Sequence, residues 1–131
     1  MYLTDTNIWL EYLLKQDKHD EVKKFINFAN ANEIYLTDFS FFSIAIIMCK
    51  NNLLNEFKEF CNDIFETDKV KRLSLEIVDI EKVLKNIKNY KIDFDDSYQL
   101  TVAQKFNLIL LSYDKDFDST PIKRIVPGDI I

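Results

Sequence analysis

Short apolar runs alternate with helical patterns along the whole chain, and this order limits the folds that the chain can adopt. The runs that are predicted to be strands cover residues 2–4, 34–37, 70–75, 108–111 and 124–126. Between them, apolar residues recur at the spacing of helices that are apolar on one side. Neighbouring parallel strands need crossover connections, and the intervening helices provide them. The sequence therefore predicts an α/β fold, a three-layer α/β/α sandwich around a mostly parallel sheet of about four to five short strands.

Composition narrows the possible classes of protein further. With 131 residues, of which 47% are hydrophobic, the chain can enclose one core, and we expect a single domain over residues 1–131. The presence of one glycine alone, Gly128, excludes a glycine-rich phosphate-binding loop. The sequence starts without a signal-peptide pattern and has no apolar run of membrane-spanning length, so we expect a cytoplasmic protein without membrane contact. Cys49 and Cys61 lack metal-binding spacing and are expected to be buried, reduced thiols.

The net charge of −5 argues against a protein that holds nucleic acid through clustered Lys and Arg. The same charge is compatible with a nuclease if several acids share one cleft, because a bound divalent cation would neutralise them locally. The positions of the acids along the chain therefore carry most of the functional information.

Three acids lie where predicted elements begin or end. Asp5 follows the first strand, Asp114 follows the fourth, and Asp96 begins the helix before that strand, with Asp93 and Asp95 as candidate caps of the same helix. The carboxyl ends of parallel strands and the N-termini of helices meet at one edge of such a sheet. Carboxylates brought together there repel each other unless a cation neutralises them, and oxygen ligands of this kind suit Mg²⁺ or Mn²⁺. Any one of these acids alone is also typical of an ordinary helix cap.

Three segments resemble the motifs of the PIN-domain family of metal-dependent ribonucleases. They are residues 3–7 (LTDTN), 96–103 (DSYQLTVA) and 112–117 (SYDKDF), and the resemblance covers essentially the whole chain. It implies a divalent-metal-dependent endoribonuclease that hydrolyses RNA with Mg²⁺ or Mn²⁺ held by Asp5, Asp96 and Asp114. Small single-domain members of that family are frequently toxins of toxin–antitoxin pairs and often dimerise. The resemblance therefore also implies an antitoxin partner and a homodimer.

Residues next to these motifs are candidates for supporting roles. Asn7 and Ser112 can donate hydrogen bonds to a metal-binding carboxylate or to phosphate. Asp116 either supports the cation site or closes a turn. Lys115, like Lys123 and Arg124, is a candidate for contact with the RNA phosphates.

The chain departs from the family pattern on the helix after the second strand. Family members usually carry a further acid there, most often Glu, and this chain has Ser43 at the matching position. Asp38 is the candidate substitute ligand for the metal, although five residues do not return a helix to the same face. The departure leaves open an alternative, a PIN-like nucleic-acid-binding or protein-interaction module with weakened catalysis. A phosphoryl-transfer domain with Asp5 as nucleophile fits less well, because Asn7 stands where such a domain needs a second Asp.

Two predicted helices carry more apolar surface than one buried face requires. Trp9 and Tyr12 share an early helix with leucines, and such an excess predicts a subunit or partner contact. The helix through residues 41–48 is apolar nearly all round, which predicts a central position or a subunit interface. His19 lies away from the acids in sequence and is predicted to be on the surface.

Overall fold

The computed structural model describes residues 1–30 and 33–131. The strands among them are β1 (Tyr2–Thr4), β2 (Ile34–Thr37), β3 (Val70–Leu73), β4 (Ile109–Leu111) and β5 (Arg124–Ile125). All pair in parallel, in the order β3-β2-β1-β4-β5. The predicted parallel sheet is confirmed, and the alternating run 70–75 forms a strand that ends two residues earlier than predicted.

Helices of the described residues cover both faces of this sheet. They are α1 (Thr6–Leu13), α2 (His19–Phe28), α3 (Asp38–Lys50), α4 (Leu54–Cys61), α5 (Ile80–Tyr90) and α6 (Phe94–Phe106). Adjacent residues of a strand point to opposite faces. Leu111 of β4 accordingly packs in one buried cluster with Trp9 and Phe25, while Leu110 packs in another with Val102 and Leu3. The predicted three-layer α/β/α sandwich is therefore confirmed.

The start of α1 differs from the prediction in the role of its tryptophan. Asp5 caps the helix by accepting a hydrogen bond from the Thr6 amide at 2.8 Å, as its place after the first strand allows. Trp9 is fully buried, and its indole N–H donates to the hydroxyl of Thr4 at 2.8 Å. The predicted partner contact through Trp9 is wrong, because the core encloses this ring and satisfies its one polar group.

The start of α6 lies two residues earlier than predicted. The helix begins at Phe94, so Asp95 and Asp96 both lie in its first turn. Asp93 occupies the position before the helix, but its side chain makes no capping bond with any residue that the structure describes. The sequence could not show whether Asp95 lies before the helix as a cap or inside its first turn, because acids are favoured at both places.

The helix α3 is buried on one side and exposed on the other. Ile44 and Met48 are fully buried, whereas Phe42 and Ile46 are each 56% exposed. A fully central position for α3 is therefore wrong. Its exposed side is compatible with the other predicted position, at a subunit interface, which stays a prediction.

The two cysteines and the histidine, which have no predicted catalytic role, are all at least partly exposed. Cys49 is exposed and Cys61 is partly exposed, and both thiols are free in the described part of the chain. The prediction of a buried thiol is wrong for Cys49, which lies near the C-terminal end of α3. The ring of His19 is stacked on Tyr12 with centroids 5.2 Å apart, and it remains partly exposed.

Across residues 1–30 and 33–131, no helix is both long enough and apolar enough to span a membrane.

Candidate active site

The ends of β1 and β4 bring two of the predicted motifs together. The strands pair directly, with Thr4 opposite Leu111, and the amide of Asp5 donates to the Leu111 carbonyl at 2.9 Å. A cleft of about 330 Å³ opens at this edge of the sheet, beside the N-terminus of α6. Its lining includes all three predicted metal-binding acids, Asp5, Asp96 and Asp114.

Asp5 is the most enclosed of these acids, with 8% of its surface exposed. Its Oδ1 accepts hydrogen bonds from the Thr6 amide at 2.8 Å and from the side-chain amide of Gln99 at 3.2 Å. Its Oδ2 accepts from the Ser112 hydroxyl at 2.7 Å and from Asn7 Nδ2 at 3.2 Å. These donors match the roughly four lone-pair positions of a carboxylate. Asp5 is therefore held in one orientation through both of its oxygens.

Asn7 and Ser112 also fix the loop that follows β4. The Tyr113 amide donates to Asn7 Oδ1 at 3.1 Å, and the Asp114 amide donates to Ser112 Oγ at 3.0 Å. The two side chains bond to each other as well, since Asn7 Nδ2 donates to Ser112 Oγ at 3.1 Å. They therefore connect the carboxylate of Asp5 to the loop that carries Asp114.

Burial and neighbouring negative charges both act on Asp96 in the cleft. Burial raises the pKa of Asp96 to about 7, and the charges of Asp95, Asp114, Asp5 and Asp93 add to the rise. Burial also raises the pKa of Asp5, where the charge of Asp114 adds a smaller increase. A bound cation would reverse both effects, because a positive charge favours the ionised form of each acid.

Asp116 lies next to the predicted acids. Asp96, Asp114 and Asp116 each offer an oxygen within 4.8 Å of the other two, and Asp93, Asp95 and Asp96 form a second such set. Asp116 is also part of a turn, because its amide donates to Asp114 Oδ1 at 2.9 Å. The oxygen atoms of carboxylates are the ligands that Mg²⁺ and Mn²⁺ prefer, so these residues fit the ions that the family resemblance implies.

The α3 side of the cleft contributes hydroxyl groups instead of an acid. Ser43 lines the cleft, but its hydroxyl donates to the Phe39 carbonyl within the helix at 2.9 Å. Asp38 is not among the described residues that line the cleft, and its Oδ1 lies 3.4 Å from Nε of Arg72 on β3. Asp38 is therefore not placed to replace the missing acid, because the first residue of α3 reaches toward β3 instead of the cleft.

Basic side chains border the acids on the α5 side. A second cavity, of about 410 Å³, shares Asp96 with the first and is also lined by Lys91 and Lys115. Lys91 has a φ of 54° and ends α5, in the connection that leads to α6. Arg124 is already engaged, since its guanidinium donates to Asp118 at 2.7 Å. Of the three basic residues predicted to contact phosphate, Lys115 is the one that lines this cavity with the acids.

Gln99 belongs to the site, although the sequence predicts no role for it within the motif-like segment 96–103. It follows Asp96 by three residues on α6, so one helix face carries both side chains. It is only 3% exposed, and its Nε2 donates to Asp5 Oδ1 and to Ser40 Oγ. Its place in that segment and its spacing from Asp96 are the signals that the sequence offers, because Ser40 is 59 residues away along the chain.

Comparison with known proteins gives one family match and several structural matches. The sequence matches the PIN domain over residues 2–123. No curated protein matches it in sequence.

The structural matches span nearly the whole of each chain. A toxin–antitoxin complex from Klebsiella pneumoniae is 17% identical with a TM-score of 0.76, over 97% of this chain and 98% of that chain. VapC20 from Mycobacterium tuberculosis, a sarcin-ricin loop cleaving toxin, is 12% identical with a TM-score of 0.81, over 97% and 100%. FitAB bound to an IR36 DNA fragment is 16% identical with a TM-score of 0.78, over 98% and 96%. At these identities the structural matches establish the fold alone.

Proposed function

The chain belongs to the PIN-domain family, and from that membership we propose that it is a divalent-metal-dependent endoribonuclease that hydrolyses RNA phosphodiester bonds. The observation that carries the proposal is the convergence of Asp5, Asp96 and Asp114 on one cleft. Asp116 supports it, because its carboxylate comes within 4.8 Å of the carboxylates of Asp96 and Asp114. Acids gathered in this way repel each other, and a divalent cation removes the repulsion.

The acids and Lys115 have separate roles in this proposal. Asp96, Asp114 and Asp116 would hold Mg²⁺ or Mn²⁺, and Asp5 would add its charge from the buried side of the cleft. When bound, the ion supplies positive charge at the reacting phosphate. The donors around Asp5 favour its ionised form and keep it oriented. Lys115 would hold an RNA phosphate beside the acids.

An RNA cleavage assay tests the enzyme directly. The purified protein is incubated with single-stranded RNA and Mn²⁺, with and without EDTA. We expect EDTA to stop cleavage, and Asp96→Asn or Asp5→Asn to slow it by about 100-fold or more. Asp63→Asn is the matched control, since this exposed acid lines a different cavity and its loss should leave the rate unchanged. Cleavage that survives both EDTA and Asp96→Asn would rule out the proposed metal-dependent reaction.

A second candidate function is a PIN-like nucleic-acid-binding or protein-interaction module with weakened catalysis. Two observations favour it, namely Ser43 in place of an acid and the exposed apolar side of α3. Titration calorimetry separates the candidates. Heat of Mn²⁺ binding that disappears in Asp96→Asn supports the enzyme, whereas the absence of Mn²⁺ binding together with intact RNA supports the module.

We also propose that the protein is the toxin of a toxin–antitoxin pair and binds an antitoxin protein. The proposal is supported by family membership together with the fold similarity to a toxin–antitoxin complex. Induced expression in a bacterial culture tests the toxic activity. We expect growth to stop with the wild-type protein and to continue with Asp96→Asn at the same expression level. Equal growth in both cultures would contradict a toxin.

A homodimer is proposed for the exposed side of α3. Phe39, Phe42 and Ile46 form an exposed stripe along this helix, with Phe42 and Ile46 each 56% exposed. Light scattering during gel filtration should give about twice the 15.6 kDa chain mass. Phe42→Glu should reduce the mass to that of a monomer, while the control Phe28→Glu on α2 should not. A monomer mass for the wild-type protein would contradict the dimer.

A further inference from the structure

Within the described residues, the α3 wall of the cleft carries no acid. Ser43 points its hydroxyl back to the Phe39 carbonyl, and Asp38 reaches toward Arg72 on β3. The negative charge that the cleft offers therefore comes from α6 and from the segments that follow β1 and β4. The side chains that bond to α3 at this point, Gln99 and Thr6, are uncharged.

The side chain of Gln99 makes this connection. One amide nitrogen donates both to Asp5 Oδ1, at 3.2 Å, and to Ser40 Oγ on α3. Ser40 is itself fixed, because its amide donates to Thr37 Oγ1 at 3.0 Å and its Oγ accepts from the Thr6 hydroxyl at 3.0 Å. A single buried amide thus joins α6, α3 and the carboxylate of Asp5.

The carbonyl group of the same side chain makes no hydrogen bond that would explain a glutamine at this position. Gln99 Oε1 is buried and finds no hydrogen-bond partner among the described residues. A buried carbonyl without a partner is costly, and an apolar side chain of similar size would avoid the cost. The amide is therefore explained by the two bonds that its nitrogen donates.

We propose that Gln99 is a positioning residue that takes the place of the missing α3 acid. It fixes Asp5 against α3 without adding charge, so the affinity of the cleft for a divalent cation depends on this neutral residue. The inference rests on the proposed function, since it concerns the same cation site. It extends that function by naming the residue that compensates for the departure at Ser43.

Mn²⁺ binding to the purified chain, measured by calorimetry, tests the proposal. Gln99→Met removes both donated bonds and nearly keeps the volume, and we expect it to lower the Mn²⁺ affinity by about tenfold. The matched control is Asn86→Leu, which removes another buried amide that donates to Thr101 and Gln104 at 3.0 Å between α5 and α6. This control should lower the melting temperature and leave the Mn²⁺ affinity unchanged.

Two further variants separate positioning from general stability. Adding Ser43→Glu to Gln99→Met restores a carboxylate on the α3 wall, and we expect the Mn²⁺ affinity to recover. Gln99→Glu provides a second readout if Gln99→Met does not fold. Its carboxylate faces Asp5, so it should melt at a lower temperature than wild type in EDTA and gain more than wild type when Mn²⁺ is added.

The outcomes distinguish this inference from the proposed function. If the wild-type protein and Gln99→Met bind Mn²⁺ equally well, the inference is wrong and the metal-dependent function stands. An equal loss of affinity in Asn86→Leu would also overturn it, because a loss of stability would then explain both variants. If the wild-type protein binds no Mn²⁺, the proposed function fails and the inference fails with it.

Discussion

Replacing Asp96 with Asn changes the balance of charge in the cleft with little change in shape. Asp96 lies in the first turn of α6, where burial and the charges of Asp95, Asp114 and Asp5 raise its pKa from 3.8 to about 7. Asparagine keeps the size of the side chain and carries no charge. We expect Asp96→Asn to make the metal-free protein more stable than wild type above neutral pH.

The sign of this effect follows from the linkage between protonation and folding. An acid whose pKa is higher in the folded than in the unfolded chain opposes folding when it is ionised. The wild-type protein should therefore lose stability as the pH rises from the unfolded value of 3.8 to about 7. Below that range Asp96 is protonated in both states, and Asp96→Asn should have its smallest effect on stability.

The magnitude is set by two opposing contributions. The difference between 3.8 and about 7 corresponds to about 4 kcal/mol. Because Asp96 is partly exposed, solvent screening reduces this to about 2 kcal/mol. Loss of the favourable contact between an acid and the helix N-terminus offsets up to about 1 kcal/mol. The cost of burying the ionised Asp96 among other acids therefore wins by about 1 kcal/mol, or about 4 °C in melting temperature for a domain of this size.

Thermal unfolding in EDTA from about pH 5 to about pH 9 measures this difference. Asp118→Asn is a control of opposite sign, because the Arg124 guanidinium holds the pKa of Asp118 below its usual range, so loss of that acid should destabilise the protein at neutral pH. Mn²⁺ should then raise the melting temperature of wild type more than that of Asp96→Asn. A lower melting temperature for Asp96→Asn than for wild type at about pH 8 would refute a net cost of the ionised Asp96 in the folded protein.

Other substitutions have equally definite expected outcomes. Leu111→Ala should lower the free energy of unfolding in urea by about 2–5 kcal/mol, since Leu111 is fully buried; no change would contradict its place in the core. Ser112→Ala removes a donor to Asp5 and should lower Mn²⁺ affinity by about tenfold in calorimetry; equal affinity would exclude an orienting role. Cys49 should react with a thiol reagent faster than Cys61 in the native protein, and the reverse order would contradict its exposure.

The fold was predictable because the strands are short runs of apolar residues, and such runs are buried in a sheet that is covered on both faces. Leu110 and Leu111 are both fully buried, one in each of the two core clusters, which is the pattern of a strand covered on both faces. The convergence of the acids was predictable from the order of strands and helices along the chain. Asp5 and Asp114 each follow a strand, and β1 and β4 are neighbours in the sheet.

Features that depend on distant partners could not be predicted from the sequence. Asp38 has the position of a helix-start acid, and only the neighbouring strand β3 places Arg72 at 3.4 Å to draw it away from the cleft. Trp9 was equally ambiguous, because an aromatic side chain on a short helix serves a core and an interface alike. Gln99 follows Asp96 by one helical turn, but its partners Asp5 and Ser40 are brought to it only by folding.

A crystal of the protein soaked in MnCl₂, with diffraction recorded at the Mn absorption edge, tests most directly whether these acids hold a divalent cation. We predict an anomalous peak within about 2.1 Å of carboxylate oxygens from both Asp96 and Asp114, the usual distance for a small divalent ion. Asp96→Asn should remove the peak under the same soaking conditions. A wild-type cleft without a peak, or a peak confined to Asp93 and Asp95, would contradict the proposed metal centre.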